Sequence, residues 1–333
     1  MANIIFSEGS NLANSIYGKS QEPIKMFIEK RAEAFEANSI EKQIFSHQPS
    51  THWAEKFTSM TSMNGFQPVG ENGAYPVDGF QEGYSKTLEN VTWKNSFAIS
   101  REMIDDANIM DLRKKPDSFI TAYYRTREEF AAFLIGSAFG ASSAKFKGQK
   151  FDLTSADGQA LFATAHPSKV KGGTQCNKFS NTFSDSILGA VETAMQNVKG
   201  DNGEILDVSP DTIIIPNIYS LKNDVFAAIG ADKEPTTANN AYNYVYGRWN
   251  VIVWPYLNQY VTSGNAPWIL FDSKYNDTYG GAVWLDRVKL EVKSEIAAND
   301  ANEWKGYARY TAGFNDWRAF AVGGISGATD ITA

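Results

Sequence analysis

Few residues of this 333-residue chain have the type and spacing to do chemistry: three histidines, one cysteine and a handful of short charged motifs. His47 and His52 are the nearest pair. Their spacing does not place them on one helical face, and no cysteine or acidic triad completes a metal site around them. They read as histidines of a surface loop. His166 ends the phrase Asp157–Pro167 (DGQALFATAHP): a turn at Asp157-Gly158, an apolar run Ala160-Leu161-Phe162, then a histidine locked before Pro167. As a general base for a serine such as Ser168 it would need a Gly-x-Ser-x-Gly elbow and a nearby acid, and the sequence offers neither. It reads as a structural histidine in a turn. Gly18-Lys19-Ser20 ends like a phosphate-binding loop, but Ala13 stands where the first glycine belongs and no strand precedes it. Asp201-Asn202-Gly203 starts like a calcium loop without the later ligands, so it reads as a turn. The expectation is a protein with no catalytic, cofactor-binding or metal residues, not an enzyme. A serine hydrolase using His166 is kept as an alternative.

Composition sets the wider bounds. Hydrophobic residues make up 43% and charged residues 21%, ordinary for a folded chain with about two domains' worth of core. A net charge of -7 argues against tight sequence-specific DNA binding, which wants a basic face, though not against enclosing DNA. Cys176 is the single thiol, so stability must come from packing and association. The N-terminus lacks the basic and apolar regions of a signal peptide. The longest apolar run, around Phe130–Ala141, is too short to span a bilayer, and no membrane partner is expected.

The elements that must position these residues follow from periodicity. Met1–Ser20 reads as a polar arm, followed by a helix from Pro23 whose sticky face carries Ile24, Phe27, Ile28 and Phe35. From Phe57 to Gly83, glycines and prolines alternate with Phe66, Val69, Tyr75, Val77 and Phe80, an extended turn-rich segment with exposed aromatics. Val91, Trp93, Phe97 and Ile99 alternate with polar residues, which predicts a half-buried strand and, with the preceding segment, a long two-stranded excursion. The aromatics could instead form a sugar-binding platform, but burial in a subunit contact is the favoured reading. Arg101, Glu102, Asp105 and Asp106 form a charge cluster, either a solvated surface or a set of salt bridges to a neighbouring subunit. The strongest helix is predicted over Pro116–Phe139, roughly 35 Å long at 1.5 Å per residue. Further on come a helix capped by Ser184 and stopped by Gly200, a buried strand Asp211–Pro216, and a helix burying Ile218, Leu221, Val225, Phe226 and Ile229 up to Gly230. A mobile loop Ala231–Tyr244 follows, then strands at Asn250–Trp254, Trp268–Asp272, Val283–Val292 and Trp304–Phe320.

This order of elements resembles the Hong Kong 97 capsid fold. Local phrases resemble the Mu-like major head subunits of tailed bacteriophages. They are Glu82-Gly83-Tyr84-Ser85-Lys86, Ile99–Met103 with Asp105-Asp106, Arg127–Ala132, Asp157-Gly158 with Leu161-Phe162 and His166-Pro167, and Val253–Leu257 before Pro267–Leu270. The resemblance implies an α+β fold with an N-terminal arm and helix (1–56), an extended loop or β-hairpin (57–100), a peripheral domain with a spine helix (101–179), an axial domain (180–255) and returning C-terminal strands (256–333).

The resemblance further implies a major capsid protein that self-assembles into hexamers and pentamers of an icosahedral shell around double-stranded DNA, held without sequence specificity. It implies portal, scaffolding or decoration partners, assembly in the bacterial host cytoplasm and a final place in the virion capsid. The chain begins at Met1, from which a separate scaffold is expected. Ile24, Phe27 and Phe35 are expected to anchor the arm on a neighbour, and Phe66, Tyr75, Phe80 and Tyr84 the loop. Some relatives crosslink a loop lysine to an asparagine; Lys86 and Lys94 hold suitable positions, but no motif fixes the other partners, and no crosslink is expected. An encapsulin-like compartment of the same fold is the nearer alternative.

Overall fold

The computed structural model describes residues 4–8, 16–60, 66–77, 82–105, 109–170, 172–230, 243, 245–262, 266–298 and 301–332. Phe80, Asp106 and the loop 231–244 apart from Asn243 lie outside these, as do the side chains of Ile24, Phe27 and Asp105. In chain order the elements begin with strand β1 (Ile4–Glu8), helices α1 (Ile16–Ala37) and α2 (Glu41–Ile44), then β2 (Ser46–Pro49), β3 (Ala54–Met60), β4 (Glu82–Glu89) and β5 (Val91–Ile99). Helices α3 (Arg101–Asp105) and α4 (Ile109–Ser137) precede the hairpin β6 (Ser143–Phe146) and β7 (Gln149–Asp152) and the short strands β8 (His166–Pro167) and β9 (Thr174–Gln175). Next are α5 (Asp185–Gln196), β10 (Thr212–Ile215), α6 (Tyr219–Ile229), β11 (Asn250–Val253) and β12 (Trp268–Phe271). Helix α7 (Ser273–Tyr279) and strands β13 (Ala282–Ile296), β14 (Asn302–Phe314) and β15 (Phe320–Gly323) complete the chain.

The chain divides into two compact units. The first takes residues 1–55, 88–131 and 284–312, and its sheet runs β1-β13-β14-β5, with β2 also on β13. Its core is aromatic. Tyr310 stacks on Trp93 and Trp284 with centroids 5.0 and 5.3 Å apart, and Phe130 of α4 meets Trp284 edge-on at 5.8 Å. Gly306 lies where a Cβ would come within 2.4 Å of the Phe119 ring, so α4 approaches β14 closely only because that position has no side chain. Ile28 and Ala32 of α1 are buried and Phe35 is half-buried, the helical spacing of a packed stripe.

The second unit takes residues 56–87, 132–283 and 313–333, around a four-stranded sheet ordered β11-β10-β12-β15. Its central strands, TIII and WILF, are buried along their whole length, as strands covered on both faces must be. Helix α5 buries Leu188, Val191 and Met195, and Ser184 caps it by accepting from the Ile187 N–H, as its sequence predicts. Helix α6 ends on Gly230 as predicted.

Several expectations need correction. The arm is not merely polar: β1 pairs in parallel with Leu290–Ser294 of β13. The spine helix begins at Ile109, and Pro116 sits inside it rather than in its first turn. Helix α1 likewise begins at Ile16, so Pro23 lies inside it and the first-turn preference of proline misplaced its start. Helix α5 stops at Gln196, short of Gly200. Phe226 faces outward, 49% exposed. The two-stranded excursion consists of β3 with β4, whereas β5 pairs antiparallel with Asn302–Tyr310 of β14. The last predicted strand is two strands, β14 and β15, in different sheets. Strands β12 and β15, which follow Pro255, join the sheet of β10 and β11.

Candidate assembly surface

Between β3 and β4 the described residues 66–77 form a ribbon with almost no internal support. Among the described residues of 66–77, one backbone hydrogen bond forms, from Gly73 N–H to Gly70 O at 2.8 Å, with Asn72 in the left-handed region. Every one of these residues is exposed. Phe66 is 110%, Val77 98% and Tyr75 93% exposed, as fully as in an open chain. Full burial of a Val or Phe side chain contributes about 1.5–3 kcal/mol, so a free subunit leaves this unused. Pro68 and Pro76 keep the segment extended and deny it helix.

The return strand is fastened at its start. Lys169 Nζ donates to Glu82 O at 2.6 Å and to Gly83 O, and lies 5.4 Å from the Tyr84 ring centroid. Tyr84 is half-buried, and burial together with the Asp201 and Asp157 carboxylates pushes its phenol up. Lys86 is buried; its ammonium donates to Asp152 Oδ2 at 2.5 Å and Thr154 Oγ1 at 2.8 Å. Lys94 lies over the Tyr307 ring at 5.7 Å. Of the other expected contact residues, Phe35 stacks on Tyr124 at 5.3 Å inside its own unit. Arg101 and Glu102 are exposed on α3.

The candidate chemical groups fall into buried structural clusters. His166 is fully buried and stacks on Trp317 at 4.1 Å. Its Nδ1 faces Asp157 Oδ2 at 2.6 Å and its Nε2 faces Asn177 Oδ1 at 3.1 Å. Asn177 cannot be turned over: Nδ2 donates to Leu161 O and Phe320 O, and Oδ1 accepts from Ala163 N–H. Its oxygen is therefore the acceptor, and the ring donates to it. Burial pushes the Asp157 carboxyl up, but hydrogen bonds from His166 and Ser155 outweigh it and hold the group below the usual carboxylate range. Asp157 and Asn177 thus occupy both ring nitrogens, and neither nitrogen faces a serine. Ser168 Oγ meanwhile donates to Asp201 O at 3.2 Å. The sequence reading missed the acid nine residues upstream because Asp157-Gly158 has the look of a simple turn.

A second cluster was hidden in the spine helix. Arg127 is buried, with Nε donating to Glu41 Oε1 at 3.0 Å and Nη1 to Asp286 Oδ1 at 3.1 Å and to the Tyr123 hydroxyl at 3.2 Å. Its guanidinium lies 4.6 Å from the Trp284 centroid and 5.0 Å from that of Tyr310. His47, read as a loop histidine, lies half-buried between Asp286 at 3.2 Å and Glu41 at 3.5 Å. Asp286 is pushed up by burial, yet His47 and Arg127 hold it well below the ordinary carboxylate value. His52 is exposed beside Glu55, whose pKa is lowered to about 2 by hydrogen bonds led by that from Ser50. Gly18-Lys19-Ser20 lies within α1, not in a loop. Among the described residues no cluster of three or more His, Cys, Asp or Glu side chains is arranged to hold a metal, and no described helix is long and apolar enough to cross a membrane.

An α+β fold in which His166 and His47 sit in side-chain clusters of their own unit, and in which an aromatic ribbon is exposed, has the features of a structural subunit. The chain belongs to the phage capsid protein family, whose profile it matches over residues 84–323. Solved structures share its fold at low identity. The protein from Mycobacterium phage Patience is 13% identical, with 93% of this chain and 90% of that one covered at a TM-score of 0.51. The capsid of Ralstonia phage GP4 is 12% identical, with 84% and 85% covered at a TM-score of 0.53. A comparison with curated protein sequences gave no match. The protein is a major capsid protein with the Hong Kong 97-like fold, a self-assembling component of the virion shell.

Proposed function

We propose that this subunit forms hexamers and pentamers that close into an icosahedral shell around double-stranded DNA, assembled in the bacterial host cytoplasm. Portal, scaffolding or decoration proteins complete the particle. The observation that carries the reading is the 66–77 ribbon, whose Phe66, Val69, Tyr75 and Val77 are exposed. Association covers them at about 25 cal/mol per Å² of apolar area. Shell contacts of this kind belong with obligate interfaces of several thousand Å². The domain reading stays with this proposal: arm, spine helix and C-terminal strands at the periphery, and the stretch from Ser180 to Pro255 nearest the capsomer axis. Arm residues Ile24, Phe27 and Phe35, loop residues Phe80 and Tyr84, and the charges Arg101, Glu102, Asp105 and Asp106 are further contact residues. Electron microscopy of the chain expressed alone, after size-exclusion chromatography, tests it. Closed shells or rings of five and six are expected. A monomer that stays monomeric with a scaffolding protein present would overturn the reading.

A further inference from the structure

The hairpin β6–β7 carries a concentration of positive charge that packing does not explain. Lys145 and Lys150 stand directly opposite one another in its register, and both are exposed. Like charges in such a cross-strand pair repel. At the tip, Lys147 has φ 46° and Gly148 φ 90°. A two-residue turn with both central residues at positive φ favours Asn-Gly, so a lysine at the first position departs from local preference. The hairpin is held from its other face, where Phe146 and Phe151 meet Phe133 at 5.1 and 6.1 Å. On the lysine face the one carboxylate, Asp152, is taken by Lys86. Among the described residues, neither Lys145 nor Lys150 has an ion-pair partner. Lys147 at the tip lies over the Phe146 ring at 5.3 Å and is exposed, so three exposed lysines fall within six positions of a chain whose net charge is -7.

We propose that this hairpin is a contact for the phosphate backbone of the enclosed DNA. The inference rests on the reading of the protein as a DNA-enclosing shell subunit. An ammonium on a flexible stem binds phosphate as a point charge and reads no base, which suits a container that must accept any sequence. The duplex offers one negative charge per ~1.7 Å of axis, a density that two opposed lysines and a third at the tip meet without fine alignment. Each subunit's contact is weak, and repetition over many copies makes it effective.

The test is fluorescence anisotropy of a short random-sequence duplex titrated with the unassembled full-length subunit over a range of salt. Each phosphate neutralised contributes a slope of about -0.9 in log Kobs against log salt. The wild type is expected to show up to about three such increments. The triple variant Lys145→Gln, Lys147→Gln, Lys150→Gln is expected to lose most of that slope and ~tenfold or more in affinity at low salt. A control removing Lys30, Lys56 and Lys274, all exposed, is expected to bind as wild type. Equal binding by the triple variant and wild type overturns the proposal. So does unchanged DNA binding with failed shell formation, which would assign the lysines to an acidic face of another copy. A wild type that stays monomeric with a scaffolding protein present would fault the capsid reading, while the anisotropy reads the hairpin separately.

Discussion

The 66–77 ribbon and the 153–179 excursion are both long stretches with little regular structure, and they treat their side chains in opposite ways. The excursion buries Leu153, Leu161, Phe162, His166, Asn177 and Phe179. It ties its backbone to Asn315, Val322 and Thr329. The ribbon buries none of its described residues. Irregular chain is stable where its polar groups are answered and its apolar groups covered. The excursion meets both conditions inside its own unit. The ribbon meets neither there, which is the ground for our proposal that a neighbouring copy covers it.

Variants in each region test the difference, taken in decreasing order of their effect on subunit stability. Asp157→Ala removes the buried acceptor that faces His166 and Ser155 and is expected to cost about 1–3 kcal/mol, read as a lower denaturant midpoint. A loss below about 1 kcal/mol would mean the clamp is dispensable. Acid should act on the same residue. Its carboxyl is depressed in the folded state, so the stability it contributes is present above its ordinary value of 3.8 and is lost as pH falls below that. Between pH 7 and 3 the wild type should therefore lose more stability than Asp157→Asn; parallel curves would contradict this. Lys169→Met removes donors to two carbonyls at the start of the ribbon's return strand. It should cost about 0.5–1.5 kcal/mol and speed amide exchange in β4. Phe66→Asp with Tyr75→Asp should change subunit stability by less than about 0.5 kcal/mol, yet abolish closed shells by electron microscopy. Normal shells from that double variant would remove the ribbon from the interface.

Legibility in the sequence followed the range of each interaction. The spine helix, the Ser184 cap, the Gly230 stop and the buried strand Thr212–Ile215 are local, and periodicity or a single capping residue marks them. The pairing of β5 with β14 joins residues about two hundred positions apart, and nothing in Val91–Ile99 names its partner. Arg127 was hidden because its neighbours Arg125 and Glu128 suggest a solvated face. Only the fold brings Glu41 and Asp286 to it. The ribbon was legible as exposed aromatics among glycines and prolines, and Phe66 and Tyr75 are exposed in the fold. The lysine hairpin was not singled out, because opposition of Lys145 and Lys150 is a matter of register.

The most direct measurement is hydroxyl-radical footprinting of Phe66 and Tyr75 in free subunits and in purified shells. Strong labelling in the subunit and clear protection in the shell is the expected result. Equal labelling in both would show that the ribbon stays uncovered after assembly, and the central claim would fail.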